Sequence, residues 1–389
     1  MATPVFCCGF ECGTDLTHWA LAAATFSTTT VRTGSRSLRV NPTLGAQRGT
    51  ATISSANKFI ARVYIRFTTL PTLTTDLFTS GASRRPGVYF NSVDSKLYAG
   101  YTNVTAQLGA TGVAVTTGIW YRVEMKLDSS ANPWTIDVQV DGAVTGQQTN
   151  ALAAENTADF ACGIVNFSPT ADMFYDDVLV SQTLADYPLG AGHGNARVPT
   201  ADGTHNIVTA FKRGTTSTSI TNATTTAYQL VDEIPVSMGA TDDYIAQVEN
   251  AGDGTEYAEQ DYANTGETQA PTAVEVLTGG HAASGNPCNG KWQINDNGTI
   301  SLTQQLTTPG TAGVWKTTQF ATAPSTGVAW TLALLDAIRT RCGYSTDANP
   351  DIYFDSVMIE SDHVDAVASA SGFNHYYDRF IGRIDGQGA

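Results

Sequence analysis

Hydrophobic and polar residues alternate along most of the chain with a period of two, which is typical of half-buried β-strands. The run Lys58–Thr68 shows the pattern most clearly and places five apolar side chains on one face, namely Phe59, Ala61, Val63, Ile65 and Phe67. Comparable runs predict further strands in the first half at Gly87–Asn91, Lys96–Tyr101, Gly118–Asp128, Trp134–Gly142, Asp159–Phe167 and Met173–Val180. In the second half the predicted strands are Asp243–Glu249, Ala273–Thr278, Gly290–Asn295, Arg339–Tyr344 and Asp351–Glu360.

Helical periodicity is confined to one short segment, Trp330–Ile338, where Thr331 is placed to cap a helix of about two turns. Many short strands separated by Gly- and Asn-containing turns are typical of sandwiches and jelly rolls. The sequence therefore predicts an all-β protein.

The strand pattern divides the chain into two β-sandwich domains, 1–187 and 205–362. Residues 188–204 are rich in Gly and Pro without a periodic run, which predicts a linker or extended strap. The tail 363–389 is aromatic and is predicted to form an interface. Phe174–Val180 and Tyr353–Ile359 match in pattern, which suggests two diverged copies of one sandwich.

The charge of the chain excludes two classes of partner. Lys and Arg number 21 against 36 Asp and Glu, which gives a net charge of −15. Such a chain repels nucleic acid phosphates and anionic lipid. We therefore expect no nucleic acid partner. No apolar stretch is long enough to span a bilayer, and the N-terminus lacks the features of a secretory signal, so we expect neither membrane insertion nor signal-dependent export.

Segments of the first half resemble concanavalin A-like (laminin G-like) jelly rolls. Gly118–Asp128 and Ile136–Gly142 look like their paired central strands, and Phe174–Val180 is similar to their last strand. Gly9–Trp19 and Thr33–Val40 are similar to the opening strands. The resemblance covers residues 9–182 and implies a concanavalin A-like fold for the first domain.

The second half resembles a more specialised group. Trp330–Glu360, together with Lys291–Thr299, resembles the C-terminal region of virion structural proteins of tailed bacteriophages, often labelled minor tail proteins. That resemblance implies a component of the tail or the head surface, assembled in the host cytoplasm and released by lysis. Its expected partners are other virion proteins and further copies of itself.

The resemblance to jelly rolls also implies a structural calcium ion. Related carbohydrate-binding domains hold Ca²⁺ with a Glu on the first strand and an Asp on the last, because this hard cation prefers oxygen ligands. Glu11 and Asp176 stand at matching places, with Asp177 as a possible neighbour. The alternative is that both carboxylates face solvent or accept hydrogen bonds from loop amides. No other cofactor is expected.

Glycoside hydrolysis is the enzymatic alternative, since related folds include glucanases with a Glu-x-Asp-x-x-Glu string whose carboxylates supply nucleophile and acid. The nearest strings here begin at Glu259-Gln-Asp261 and at Glu360-Ser-Asp362. The first lacks the third carboxylate and the second has Asp365 in its place. We therefore expect a protein without enzymatic activity and without catalytic residues.

The cysteines and exposed aromatics have a structural and a functional interpretation each. Cys7-Cys8-x-x-x-Cys12 does not have zinc spacing, so these residues are either core side chains or, for Cys7 and Cys8, intersubunit cross-links. Aromatic residues on strands either pack in cores or bind sugar rings by stacking. The candidates for stacking are Tyr89, Tyr98, Tyr101, Trp134 and Trp292.

Taken together, these features predict a virion structural protein that acts through protein–protein assembly. Its low charge makes surfaces inexpensive to desolvate in a permanent interface, and homo-oligomers are the default form of such assemblies. The alternative function is a carbohydrate-binding adhesin that contacts bacterial surface glycans.

Overall fold

A computed structural model describes most of the chain. The described residues are 4–11, 19–42, 45–81, 86–101, 107–165, 169–202, 211–212, 219–220, 245–247, 257–282, 288–296, 299–300, 304–308, 313–344 and 352–365. The described part is nearly all β, as the sequence predicts, and its strands form two β-sandwiches.

The first sandwich is built from the strands that precede residue 182. In chain order they are β1 (Pro4–Cys8), β2 (Ala20–Ala22), β3 (Thr25–Ser27), β4 (Ser37–Val40), β5 (Gln47–Ala56), β6 (Lys58–Thr69), β7 (Thr75–Ser80), β8 (Gly87–Asn91), β9 (Lys96–Gly100), β10 (Gln107–Ala114), β11 (Trp120–Asp128), β12 (Trp134–Val140), β13 (Ala143–Val144), β14 (Gln148–Asn150), β15 (Thr157–Ile164) and β16 (Asp172–Ser181). A 3-10 turn, Leu184–Asp186, follows them.

The remaining strands form the second sandwich. They are β17 (Gly192–Arg197), β18 (Pro199–Asp202), β19 (Phe211–Lys212), β20 (Ser219–Ile220), β21 (Ile245–Gln247), β22 (Tyr257–Tyr262), β23 (Pro271–Ala282), β24 (Cys288–Asp296), β25 (Thr299–Ile300), β26 (Gln304–Thr308), β27 (Val314–Gln319), β28 (Ile338–Tyr344) and β29 (Ile352–Val364). The predicted helix is α1 (Leu332–Asp336), and Thr331 Oγ1 caps it by accepting a hydrogen bond from the Leu334 amide at 3.2 Å.

Each sandwich consists of two antiparallel sheets. In the first, a nine-stranded sheet ordered β13-β12-β11-β6-β16-β4-β3, with β1 on β16 and β14 on β12, faces a sheet ordered β10-β9-β8-β7-β15-β5-β2. In the second, the sheet β20-β19-β21-β29-β23-β27, with β17 on β29, accompanies the sheet β18-β22-β28-β24-β25, with β26 on β24.

The two sandwiches repeat one pairing scheme. Strand β16 pairs with β6 on one side and with β1 and β4 on the other, and β29 pairs with β23 on one side and with β17 and β21 on the other. Likewise β15 lies between β5 and β7, and β28 lies between β22 and β24. Strand β17 therefore occupies in the second sandwich the place that β1 occupies in the first.

This repeat corrects the predicted linker. Residues 188–204 contain β17 and β18, which pair with β29 and β22 inside the second sandwich. The sequence of β17 has no hydrophobic alternation because its glycines and polar side chains lie against the first sandwich, where close approach and hydrogen bonding replace an apolar face. The tail beyond residue 365, predicted as an interface, lies outside the described residues.

Each sandwich has its own apolar core. On β6 the five side chains predicted to share a face are fully buried, together with Val123, Met125 and Leu127 of β11. Rings of Phe6, Trp19 and Phe160 meet edge to face within the same core. The second core gathers around Trp292, Ile294 and Val276.

The outer faces of two sheets meet between the sandwiches. Because strand side chains alternate, the residues of β6 that do not face its core point outward, yet Arg62 and Tyr64 are buried as well. The second sandwich covers them with β17 and β29, and a small apolar contact joins Cys7 and Leu179 to Ala273. We call this contact region the junction.

Candidate functional site

The junction holds a group of charged side chains that neither apolar core uses. We call it the junction cluster; its members are Glu11, Arg32, Arg62, Asp177, His193, Glu275, Glu360, Asp362 and Asp365. Arg32, His193 and Asp365 are partly exposed, and the other six members are buried. Buried charges are stable only when paired or neutralised. Each member therefore has to be accounted for by its partners.

Arg32 and Asp177 form the ionic contact at one end of the junction. Arg32 Nη1 lies 2.6 Å from Asp177 Oδ2 and donates to the Gly192 carbonyl at 2.9 Å, while Nη2 lies 2.8 Å from Asp365 Oδ2. The guanidinium also stacks 3.5 Å from the ring centre of Tyr64. One arginine of the first sandwich thus holds two strands of the second.

A bulge in β16 places Asp177 for this contact. The register of β16 against β6 shifts between Asp176 and Leu179, and Asp177 adopts a φ of 50°. Its Oδ1 accepts hydrogen bonds from Thr33 Oγ1 at 2.6 Å and from the Gly194 amide at 2.7 Å. The bulge therefore turns one carboxylate toward β17.

Arg62 and Asp362 form a second ion pair deeper in the junction, and both side chains are almost completely buried. Thr272 donates a hydrogen bond to Asp362 as well. Burial raises the pKa of Asp362 even though Arg62 and Thr272 favour its ionised form. Removal of either partner would leave a buried charge without compensation.

Glycines allow the two backbones to approach each other here. A Cβ on Gly194 would lie 3.2 Å from the Cα and 3.3 Å from the amide nitrogen of Gly9. A Cβ on Gly192 would come within 2.4 Å of an Arg62 guanidinium nitrogen and 2.7 Å of the His363 carbonyl oxygen. Close packing therefore requires Gly192 and Gly194 of the predicted linker to be glycines.

Two histidines lie side by side at one edge of the junction, where His193 is partly exposed and His363 is buried. His193 Nδ1 lies 2.7 Å from Asp365 Oδ1 and Nε2 lies 3.1 Å from Glu267 Oε1. The hydrogen bond to Asp365, aided by Glu267, raises the pKa of His193 to about 9. His363 stacks on it at 5.9 Å, and burial lowers the pKa of His363.

Of the two calcium candidates, Glu11 belongs to the junction cluster and Asp176 lies next to it. Both oxygens of Glu11 accept from the Ser35 amide at 2.9 Å, and the Arg36 amide and Ser35 hydroxyl also donate to it. Asp176 accepts from the Arg32 amide at 2.8 Å and from the Asp177 amide at 2.9 Å.

Loop amides and a loop hydroxyl therefore donate hydrogen bonds to the calcium candidates, which is the arrangement of the alternative interpretation. Among the described residues no group of three or more His, Cys, Asp or Glu is arranged to hold a metal. We accordingly assign no role to calcium, and the ion stays a prediction.

The carboxylates of the glycanase hypothesis are engaged in structural contacts. Glu259 is buried and accepts from Asn295 at 3.0 Å and from Arg341; burial opposes its ionisation, but these donors hold its pKa below the ordinary value. Asp261 pairs with Arg339 at 3.2 Å. Glu360, Asp362 and Asp365 belong to the junction cluster.

The cysteine and aromatic candidates are mostly core residues. Cys7 and Cys8 are both 2% exposed and unbridged, which favours the core interpretation, and the intersubunit cross-link stays a prediction. Adjacent strand residues face opposite sides, but both sides are covered here. Tyr89, Tyr98, Trp134 and Trp292 are buried, and only Tyr101 is partly exposed. Cys12 lies outside the described residues.

An open cleft of about 660 Å³ lies along one side of the junction and is lined by both sandwiches. We call it the seam cleft. Val5, Thr52 and Ile53 form one wall, and Lys316, Thr317 and Gln319 of β27 form the other. Glu275 lies at its base, where Oε2 accepts from Gln319 Nε2 at 2.7 Å. Hydroxyl, amide and ammonium groups thus line a cleft with apolar patches.

The sequence did not reveal Arg32, Arg62 or His193 as members of a site. Arg62 alternates with apolar residues on β6, a pattern that predicts a solvent-facing side chain, and His193 stands in a segment without periodicity. A usable signal was the pattern match between Phe174–Val180 and Tyr353–Ile359, because a repeated last strand implies a repeated first strand near residue 192.

Comparisons with known proteins find similarity only to solved structures, over less than half of this chain. No family model matches the chain, and no curated protein matches it. Among solved structures, domain 4 of AbnA, a GH43 extracellular arabinanase from Geobacillus stearothermophilus, is 16% identical, covers 41% of this chain and 76% of its own, and has a TM-score of 0.33.

Two sialidases are similar to a comparable extent. Trypanosoma rangeli sialidase in complex with sialic acid is 13% identical over 41% of this chain, with a TM-score of 0.31; a further sialidase is 15% identical over 48%, with a TM-score of 0.33. The matched regions span only 27% and 19% of those proteins. Similarity at this level carries no argument about activity, substrate or partner.

Within the described residues, no helix is long and apolar enough to cross a membrane.

Proposed function

We propose that this chain is a structural component of a bacteriophage virion, tail-associated or on the head surface, that acts by protein–protein assembly and not by catalysis. The observation that carries the proposal is the junction, where the buried Arg62–Asp362 pair and the partly exposed ion pairs of Arg32 join the two sandwiches. A double sandwich joined in this way suits a building block, because its neighbours can hold it at two places.

The side chains that a glycanase would need support the same proposal. Retaining and inverting glycosidases need a pair of carboxyl groups that face a bound sugar. Glu259 is instead bonded to Asn295 and Arg341, and Glu360 accepts a hydrogen bond from the Gly9 amide. Both carboxylates hold the fold together in places where a sugar has no access.

The resemblance of Trp330–Glu360 to tailed-phage proteins supplies the virion part of the proposal. The low content of charged residues, 15%, favours surfaces that lose little hydration free energy when neighbours cover them. The expected partners are other virion proteins and further copies of this chain. Assembly in the host cytoplasm and release by lysis complete the proposal.

Light scattering on the purified full chain, alone and mixed with the other structural proteins of the particle, tests this function. We expect self-association or a stoichiometric complex. A monodisperse monomer without affinity for any virion protein would contradict the proposal. Hydrolysis of a glycan that disappears in both Glu259→Gln and Glu360→Gln, with the fold retained, would replace it with an enzymatic function.

The seam cleft favours a second candidate, a carbohydrate-binding adhesin. Ligand sites often lie between domains, and a volume of about 660 Å³ lies within the usual range for small ligands. A glycan array probed with the wild type and with Gln319→Ala, in the presence and absence of EDTA, tests it. Binding lost in Gln319→Ala but retained in the surface control Lys58→Ala would support this candidate, and absence of binding would leave assembly alone.

A further inference from the structure

Glu360 is an acidic member of the junction cluster, and for one of its carboxylate oxygens the described residues supply neither a hydrogen-bond donor nor a cation. It lies on β29, is 1% exposed, and accepts the Gly9 amide of the first sandwich through Oε1. Its other oxygen, Oε2, is buried without a hydrogen-bond partner among the described residues. Glu360 thus connects the two sandwiches with only half of its carboxylate engaged.

The three cationic side chains of the junction cluster each pair with a carboxylate other than Glu360. Arg62 pairs with Asp362, and Arg32 pairs with Asp177 and Asp365. His193 lies between Asp365 and Glu267. Within the described part of the chain, no Arg, Lys or His forms a salt bridge with Glu360.

The groups that do face Glu360 are acidic or neutral. Glu275 stands directly opposite on β23, and Glu11 and Asp177 approach from the first sandwich. Like charges opposite each other on neighbouring strands repel, and low dielectric strengthens the repulsion. Other titratable groups that line the junction are Cys7, Cys8, Tyr64, Asp176, His193, Asp362, His363 and Asp365.

We propose that Glu360 is held as a neutral carboxylic acid and that its proton keeps the two sandwiches together. A buried carboxyl group without a counter-ion is more stable protonated than ionised. In agreement, burial and then the charge of Glu275 raise the pKa of Glu360 well above its usual range. The inference concerns the junction itself and does not depend on the proposed function.

The sign of the pH dependence of stability follows from the raised pKa of Glu360. An acid with a raised pKa stabilises the folded state fully below its unfolded value of 4.5, and that contribution is lost as the pH rises toward the folded value. Glu11, Asp176, Asp362 and His193, whose pKa values are also raised, act in the same direction. Asp365 and His363 have lowered values and act in the opposite one. A variant at Glu360 alone is therefore needed to isolate the contribution of Glu360 to the pH dependence of stability.

Glu360→Gln is that variant, because glutamine keeps the shape of the neutral acid and the acceptor for the Gly9 amide but does not titrate. Infrared difference spectra of the full chain at neutral pH should contain the carbonyl band of protonated carboxyl groups, and in Glu360→Gln this band should lose the intensity that Glu360 contributes. Asp172→Asn, at the exposed pair with Arg39, is the control that should leave the band unchanged. An unchanged band in Glu360→Gln would overturn the proposal.

Unfolding measured against pH gives the second test. As the pH rises above 4.5, the unfolding equilibrium constant of the wild type should grow relative to that of Glu360→Gln by up to about tenfold per pH unit. A ratio independent of pH would overturn the proposal. If the variant fails to fold, the wild type decides, because its acid band must vanish as the pH is raised. Loss of that band at constant pH on addition of Na⁺ or Ca²⁺ would show that a cation, not a proton, neutralises Glu360.

Discussion

Arg62 and Arg39 both pair with an aspartate, but their surroundings differ. The side chains of Arg62 and Asp362 are 1% and 2% exposed, whereas those of Arg39 and Asp172 are 41% and 15% exposed. Solvent screens an exposed pair and replaces either partner when the other is lost. A buried pair has no such replacement, so the two arginines should respond very differently to truncation.

Arg62→Ala is expected to reduce the free energy of unfolding by about 3–5 kcal/mol, since it leaves Asp362 buried without its counter-ion. The matched change Arg39→Ala should cost about 1 kcal/mol or less. Urea denaturation of both variants measures the difference. Equal losses would show that the junction is not a dry ionic contact.

The two stacked histidines should titrate on opposite sides of the ordinary histidine pKa of 6.5. The hydrogen bond from His193 to Asp365 raises the pKa of His193 to about 9, so its stabilising contribution is complete below 6.5 and is lost as the pH rises through 9. Burial lowers the pKa of His363, which stays neutral at pH 7. Imidazole resonances followed by NMR from pH 5 to about 10 measure both. Indistinguishable titrations near 6.5 would contradict this interpretation.

At the scale of elements, strand β17 shows where sequence reasoning succeeds and where it stops. Strands such as β6, β8, β11 and β12 bury one face in an apolar core, so alternation reveals them directly. Strand β17 buries glycines and polar groups against another domain, and a pattern of apolar residues cannot report that. Partners such as Arg62 and Asp362 are 300 residues apart, a distance that no local motif bridges.

Strand β17 should be protected from hydrogen exchange, in contrast to a linker. Its pairing with β29 and the close contact of Gly194 with Gly9 predict slow exchange for residues 193–197. The exposed loop 130–133 is the internal control and should exchange rapidly. Exchange of residues 193–197 as fast as that loop would restore the linker interpretation.

The loop that follows β3 donates hydrogen bonds to both carboxylates that were predicted to bind calcium. Amides of Ser35 and Arg36 donate to Glu11, and the amide of Arg32 donates to Asp176, so the loop occupies oxygens that a calcium ion would need. We expect added Ca²⁺ or EDTA to leave the melting temperature unchanged. A rise of several degrees with Ca²⁺ that is absent in Glu11→Gln would establish the ion after all.

At the scale of the whole molecule, the chain is two copies of one sandwich joined face to face. The sequence pattern predicted the fold class and the repeated last strand, because both depend on local alternation of apolar and polar residues. The orientation of the copies depends on ion pairs, one β-bulge and two glycines that meet only after folding. In our account this junction turns two ordinary sandwiches into one rigid unit that neighbours can bind.

Cryo-electron microscopy of an intact particle that contains this chain tests the account most directly. We expect both sandwiches to fit the density as one body in the orientation set by the Arg62–Asp362 and Arg32–Asp177 contacts, with neighbouring proteins against them. Absence of the chain from the particle would contradict a structural role. Density in which the two sandwiches adopt a different relative orientation would contradict the rigid junction.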